Sequence, residues 1–430
     1  MTRRLRAAEL RPWLIPLLYT AVAVTAGLTL PRASNTLLPH LASTISTDAA
    51  IGIYSSIASG MIALTGIVFS LGLVMSQFSA TAYSPRLVLW IARDPVISHA
   101  LGIFAATFLY ALAALAWVDR NHQSRVPLTS FYLVAILLFA SIAILIALVH
   151  QTGRLQVNRM LIFTGDRGRE IIAGLYPLVE TTVMSPVDAE FKNMAQTQVL
   201  CHDGRPRIVQ AVDISALVEI ASQTGCVIEM VAAVGDTVLD STPILRVLGA
   251  TESLSTRRLR HAIALGSDRT FEQDAKYAIR LLVDIAIKAL SPAINDPTTA
   301  VQALDQIEDL LLRLGIRRLE IGAFRDSGGK VRVVVPFPSW DDFLRLAFDE
   351  IRFYGATSIQ VMRCMKALVS ELIVVLPQER HAALRYWHER LESTVDRAFG
   401  DARDKLDAST EDRQGLGITR QDRTRREQMQ

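Results

Sequence analysis

The chain has few of the residues that build stapled or metal-bound domains. Its 430 residues include three cysteines, Cys201, Cys226 and Cys364, scattered and odd in number. That excludes a disulfide framework and gives no zinc spacing, so three resting thiols in a reducing compartment are expected. Basic residues exceed acidic ones by a net charge of only +3, and no basic stripe carries interleaved aromatics. Nucleic acid is therefore not an expected partner. There is no Walker loop, no Gly-x-Gly-x-x-Gly after a strand, no Gly-x-Ser-x-Gly elbow and no His-Glu-x-x-His. His381 and His388 share one face of an expected helix without a third ligand, so neither a metal nor another cofactor is expected.

Charge is missing most conspicuously from four runs: Pro12 to Pro31, Ala49 to Pro85, Pro95 to Val118 and Val126 to Gly153. Each is long enough to cross a hydrocarbon core of about 30 Å as a helix. Four transmembrane helices are expected, at about 12–31, 51–79, 97–118 and 128–150, within a membrane domain 1–153. Trp13, Tyr19, Trp90 and Trp117 lie near their ends, where amphipathic rings favour the interface. No Asp, Glu, Lys or Arg falls inside a span, which argues against a proton relay or ion-coupled pump more than against a passive channel. His99 and His150 sit at span ends, where an interfacial role is expected.

Arg3, Arg4, Arg6 and Arg11 precede the first span, and Arg154, Arg159, Arg167 and Arg169 follow the last. The first loop carries only Arg32, the second Arg86 and Arg93, and the third sets Arg120 and Arg125 against Asp119. Both termini are thereby assigned to the cytoplasm. A cleaved signal peptide is the competitor, since "RRLR" with an apolar run and Ala21-x-Ala23 mimics one, but the run continues past that point.

The second run would reach about 55 Å as a helix, so part of it must tilt, bend or stand out of the bilayer. Gly52, Ser56, Ser59, Ala63, Gly66 and Ser70 recur along it at helical spacing, and small residues let helix backbones approach closely. The stripe either packs within the four-helix bundle or lines a pore or an oligomer interface.

Beyond the spans, residues 154–180 read as a helical linker continuing the last one. "RIVQAVDI", "GCVIEMVAAVGDTVL" and "PILRVLG" are short strand-like runs with Val-Gly-Asp as a turn signal. They point to a small β-barrel or sandwich at 181–250, lipoyl-like in pattern. No lysine lies between Lys192 and Lys276, which excludes a cofactor-carrier role. A mainly helical domain follows at 251–400, and a polar, disordered tail is expected at 401–430. Thr270 with Gln273 fits a capping box, opening a helix whose polar face holds Lys276, Arg280, Asp284 and Lys288. Pro292 ends that helix near Leu290. Asp296 and Pro297 open the next as N-cap and first helical residue, and Gly315 stops it. "VRVVVPF" reads as a strand, Ser339 with Asp342 as a capping box for a helix ending at Gly355, and two helices at about 358–375 and 378–399 complete the domain.

"SQFSATAYSPRLV", "LGIFAATFLYAL", "VQAVD" with "VGDTVLDSTPIL", and above all "DRTFEQDAKYAIRLLVDIAIKALSPAINDPTTA" resemble a bacterial family of predicted membrane proteins, domain-of-unknown-function family 2254. The likeness covers about residues 10–400. It implies an inner-membrane protein with several spans and a cytoplasmic domain, and supplies no reaction. "GRPRIVQ" stands where the family tends to have a Ser-Gly-Tyr-like turn.

Arg269, Asp274, Asp284, Asn295 and Asp296 form the one dense polar constellation, on two successive helices that could bring them together. They serve either as caps and pairs or as a ligand or interaction pocket. The sequence as a whole reads as a homo-oligomeric channel or transport-related protein, gated or assembled by its cytoplasmic domain. A membrane-anchored sensor or scaffold for a cytoplasmic ligand or partner is the alternative, and an enzyme comes third.

Overall fold

The computed structural model describes residues 14–37, 46–82, 95–121, 128–152, 157–179, 191 and 193–418. The chain divides into two compact units, Arg4–Gln156 and Val157–Gln430. The amino-terminal arginines, Arg86, Arg93, Arg125, Arg154 and the would-be signal-peptide flank lie outside the described residues.

Among the described residues of the first unit, four helices are long and apolar enough to cross a membrane. They are α1 (Leu14–Leu37), α2 (Thr47–Ala82), α3 (Pro95–Asn121) and α4 (Leu128–Thr152). They are not equivalent. α3 packs against each of the others and is 44% buried over its apolar window, against 17% for the rest. Phe104, Ala106, Tyr110 and Ala114 of α3 form its core with Ala23, Tyr54, Met61, Val134 and Leu148.

Two glycines explain how closely α1 approaches α3. A Cβ on Gly27 would come within 2.6 Å of the Ala113 Cβ, and one on Gly102 within 2.9 Å of the Tyr19 ring. Polar groups inside the unit bond across helices: Thr107 with Ser141 at 3.0 Å, and Tyr110 with Ser130 at 3.2 Å. His99, expected to be merely interfacial, shares a 3.2 Å hydrogen bond with the Tyr19 hydroxyl. The overlong second run forms a single helix of 36 residues, about 54 Å in length.

The second unit begins with α5 (Val157–Leu175), a separate helix grouped with this unit by its contacts. Strands β1 (Gln196–Cys201) and β2 (Arg207–Val212) follow. Asp213 then accepts from the Ala216 amide at 3.1 Å and starts α6 (Ile214–Thr224), which Gly225 stops in a left-handed conformation. Next come β3 (Val227–Met230), β4 (Thr237–Val238), β5 (Pro243–Leu248), α7 (Thr256–His261) and β6 (Ile263–Gly266). The helical layer holds α8 (Ala275–Ala289) and α9 (Pro297–Gly315), and after strands β7 (Ala323–Arg325) and β8 (Val331–Val334) come α10 (Trp340–Tyr354), α11 (Ile359–Val375), α12 (His381–Ala398) and α13 (Ala402–Ser409).

The expected lipoyl-like barrel does not form: among the described residues there is no closed barrel. Five strands make one sheet in the order β1-β5-β3-β8-β7, and three make another in the order β4-β2-β6. The reason is long-range pairing. β8 enters from far along the chain to lie parallel to β3, with Ile228 opposite Val333, and the helices α6 and α7 interrupt the strand series. Leu217, Ile228, Val238, Leu245 and Leu259 fill the core between the sheets and helices.

The helix caps follow the sequence signals more closely. Asp296 accepts from the Thr299 amide at 3.1 Å with Pro297 at the first turn, and Ser339 with Asp342 forms a complete capping box. Thr270 and Gln273 do not cap α8, because Asp274 is its N-cap. Disorder was expected from residue 401, yet α13 is ordered and residues 411–418 fold back on the helices, while residues 419–430 lie outside the described residues.

Candidate functional site

The most family-like motif opens at the joint between the two sheets and α8. Asp274 uses both carboxylate oxygens there. Oδ1 accepts the Tyr277 amide at 3.1 Å as the helix cap, and Oδ2 accepts Arg269 Nε and Nη2 at 2.8 and 2.6 Å. The Arg269 guanidinium also lies 5.3 Å from the centre of the Tyr277 ring. Gly235 closes over this pair with φ of 91°, in the turn where Ala233 and Asp236 bond to each other.

The neighbouring residues lock the same joint. The Gln273 side chain accepts the Val212 amide at 2.9 Å and donates to the Val212 carbonyl at 3.1 Å, tying the helix entrance to β2. Gln210 donates to the Asp268 carbonyl at 2.7 Å. Burial pushes the Asp274 carboxyl above its usual range, with the Arg269 charge opposing it. The Tyr176 hydroxyl is pushed up by its own burial and then by the Asp274 charge. Tyr176 sits edge-on to Phe337 and Phe343. The space left among Tyr176, Val234, Gln273, Asp274 and Phe337 is about 20 Å³, room for one water and no substrate.

The five polar candidates occupy three separate stations. Arg269 and Asp274 meet at the start of α8. Asp284 lies along the helix, where Arg280 reaches it at 2.7 Å and also pairs with Glu350 of α10. Asn295 and Asp296 follow the far end of α8, which at 15 residues separates them from Asp274 by about 22 Å. Asp296 donates its amide to the Ala289 carbonyl at 2.8 Å and accepts the Thr299 hydroxyl at 2.6 Å. Asn295 is exposed, with φ of 49°, a left-handed position that Asn tolerates. Its amide donates to the Ser291 carbonyl at 2.9 Å, closing the tight link from α8 to α9.

The other candidate set lies on α2. Gly52, Ser56, Ser59, Ala63, Gly66 and Ser70 are all exposed, while Tyr54, Ala58, Met61 and Val68 on the opposite face are buried. A Cβ on Gly52, Gly60, Gly66 or Gly72 would meet nothing within 4 Å. The stripe therefore does not pack within its own bundle.

Gly235 and Tyr176 were not singled out as site residues by sequence reasoning, and Gln273 was read only as half of a capping box, not as the clamp on Val212. Gly235 lay inside a recognisable turn signal, and neither Gln273 nor Tyr176 carries a local signal for its distant partners. Among the described residues, no group of three or more His, Cys, Asp or Glu side chains is placed to hold a metal. His381 bonds the Leu376 carbonyl at 2.8 Å, and His388 lies 3.8 Å from both Glu392 and Glu411.

Residues 10–371 match the model of a family described as Predicted membrane protein (DUF2254). An uncharacterized protein of Mycobacterium bovis is 28% identical over 413 residues, covering 91% of this chain and 78% of the relative. Uncharacterized proteins from two strains of Mycobacterium tuberculosis match to the same extent. No solved structure matches the chain.

Proposed function

The chain belongs to the family described as Predicted membrane protein (DUF2254), and on that footing we propose that it is a homo-oligomeric, transport-related protein of the bacterial inner membrane. The observation that carries this reading is the outward stripe on α2. Six small residues along a 36-residue helix face away from their own bundle, and four glycines on that helix, three of them exposed and Gly72 half-buried, have open space at Cβ. In lipid, apolar surface gains nothing by hiding from the solvent, so helices associate where small residues permit close van der Waals approach. A second copy of α2 fits that requirement, and an even number of spans with arginines before the first and after the last supports reading both termini as cytoplasmic.

Oxidative cross-linking of the full chain in membranes tests it. Ser59→Cys and Ala63→Cys should give a covalent dimer, and Ile62→Cys, exposed on a neighbouring face, should not. A monomer in lipid nanodiscs with no cross-link at any stripe position sinks the reading. Reactivity of the same cysteines toward a membrane-impermeant thiol reagent then separates a water-lined path from a dry interface.

A membrane-anchored scaffold is the second reading. It draws on large apolar residues exposed on the α+β unit: Phe353 and Tyr354 at the end of α10 and Val374 near the end of α11. Phe353→Ser with Val374→Ser should abolish capture of a partner by the full chain without changing α2 cross-linking.

A further inference from the structure

The short helix α7 presents a cluster of uncompensated positive charge on the described part of the α+β unit. Its sequence is Thr-Arg-Arg-Leu-Arg-His, and Arg257, Arg258, Arg260 and His261 are all exposed. Arg258 donates to the Gln223 side chain at 3.4 Å. Among the described residues, neither Arg257 nor Arg260 forms an ion pair or a hydrogen bond through its guanidinium. Most other arginines of the unit are spent: Arg169 on Asp166 and Asp309, Arg280 on Asp284 and Glu350, Arg332 on Asp326.

The helix is also held rigidly for its size. Leu259, fully buried, anchors it in the core between the sheets. Ser255 caps its start, and the Gln198 side chain clamps both the amide and the carbonyl of Leu254 at 2.8 and 3.1 Å. The charged side chains therefore project from a fixed base, at little ordering cost when they bind. Basic residues in a last turn also complement the helix dipole, which accounts for their sign but not for their lack of carboxylate partners.

We propose that α7 is a docking ledge for the anionic headgroups of the bilayer in which the four spans are anchored. The chain supplies the bilayer as a permanent neighbour, because the α+β unit is tethered to the last span. Arginine forks match phosphate oxygens in geometry as well as charge. No Phe, Tyr or Trp occurs between Thr251 and Arg269, so the stacking platforms that single-stranded nucleic acids use are missing. The one apolar side chain with reach, Leu259, points into the protein, so the contact is electrostatic, without insertion, and sensitive to salt. This inference stands whether or not α2 self-associates.

Phenylglyoxal modification of the full chain in nanodiscs, read residue by residue by peptide mass spectrometry, tests it. With phosphatidylglycerol in the disc, Arg257 and Arg260 should react about fivefold or more slowly than in phosphatidylcholine discs, with 0.5 M salt restoring the rate. The exposed Arg403 of α13 serves as the reference. In Arg257→Gln/Arg260→Gln, Arg258 should lose its dependence on phosphatidylglycerol while the thermal midpoint stays unchanged. Equal rates in the two lipids overturn the proposal. So does equal protection by inorganic phosphate or short duplex DNA in phosphatidylcholine discs, which assigns the ledge to a soluble ligand. Slow reaction in both lipids and in detergent overturns it too, because the arginines are then covered by protein.

Discussion

Gly235 lies against Asp274 with no room for a Cβ between them, the Arg269 guanidinium standing 2.8 Å from where that Cβ would sit. The contact joins the turn after β3 to the cap of α8, so two sequence motifs separated by some forty residues meet at one point. Gly235 also needs a left-handed backbone, with φ of 91°. Gly235→Ala should therefore cost about 2–4 kcal/mol, the sum of backbone strain and displacement of a bonded carboxylate. Gly204→Ala is the control, since Gly204 has φ of 110° but open space, and should cost only about 1 kcal/mol. Equal losses in denaturant unfolding would show that the Asp274 contact contributes nothing.

Asp274 combines two roles that conservative substitutions separate. Asp274→Asn keeps a good N-cap for Tyr277 but removes the charge facing Arg269, and should cost about 1 kcal/mol. Asp274→Ala removes the cap as well and leaves Arg269, 25% exposed in its side chain, without its anion, for about 2–3 kcal/mol. Thermal unfolding of both variants checks the order. If Asn is as damaging as Ala, the ion pair outweighs the cap.

Local signals in the sequence reported local structure well. Asp296 with Pro297, Ser339 with Asp342, and the stop at Gly355 each depend on residues within a few positions, and each sits where the pattern put it. Asp213 and Gly225, which bound α6, carried the same kind of signal but stand at the edges of two runs read as short strands, so the helix between them was missed. The barrel reading failed because β3 takes β8 as its neighbour, a pairing that alternation in the sequence cannot specify. The polar constellation was legible as residues but not as geometry: fifteen residues of helix keep Asp274 and Asp296 apart. Arg413 reaches Glu308 across a hundred residues, which is why the tail looked structureless.

Glycines in the membrane unit stand in two different settings, one packed and one open, and substitution should separate them. Gly27→Leu forces a side chain into Ala113 and should disrupt the α1–α3 contact, lowering the yield of folded monomer in detergent. Gly66→Leu adds atoms where nothing lies within 4 Å and should leave the monomer folded. On the proposed reading it should also weaken α2 self-association, by about tenfold in an energy-transfer assay between labelled copies. A folded Gly66→Leu chain that associates as well as the parent would remove α2 from the interface.

Stability should pass through a maximum on acidification. Burial raises the carboxyls of Asp274, Asp305 and Glu308, so the folded chain retains protons there that the unfolded chain has released. These groups make stability grow as pH falls from neutral toward the ordinary values of 3.8 for Asp and 4.5 for Glu. Other groups have the opposite sign. Ser339 lowers Asp342, and bonds from Arg313 and Arg169 outweigh burial to lower Asp309. Their contribution is complete above 3.8 and is lost as pH falls through their lowered values. Thermal midpoints measured from pH 7 down to about pH 2 should rise and then fall, with Glu308→Gln flattening the rise. A steady decline from neutral pH would contradict the burial of these carboxyls.

The strap after α13 carries one asymmetric ion pair, beside bonds from Ser370 to Glu411 and from Gln360 to the Gln414 carbonyl. Glu308 is nearly buried on α9, with 6% of its side chain exposed, and Arg413 reaches its Oε2 at 3.0 Å from a side chain that is 62% exposed. Oε1 is buried with no hydrogen-bond partner among the described residues. Asp412 shapes the strap behind the pair, accepting the Gln414 amide on one oxygen and those of Gly417 and Ile418 on the other. Arg413→Ala strands a buried carboxylate and should cost about 2–3 kcal/mol, whereas Glu308→Gln removes the charge itself and should cost about 1 kcal/mol. The double variant should resemble Glu308→Gln alone, because an arginine on the surface contributes little once its anion is gone. A coupling of about 2–3 kcal/mol from the four unfolding curves is the expected result. Simple additivity would mean that the strap is held by Asp412 and its amides, with the ion pair incidental.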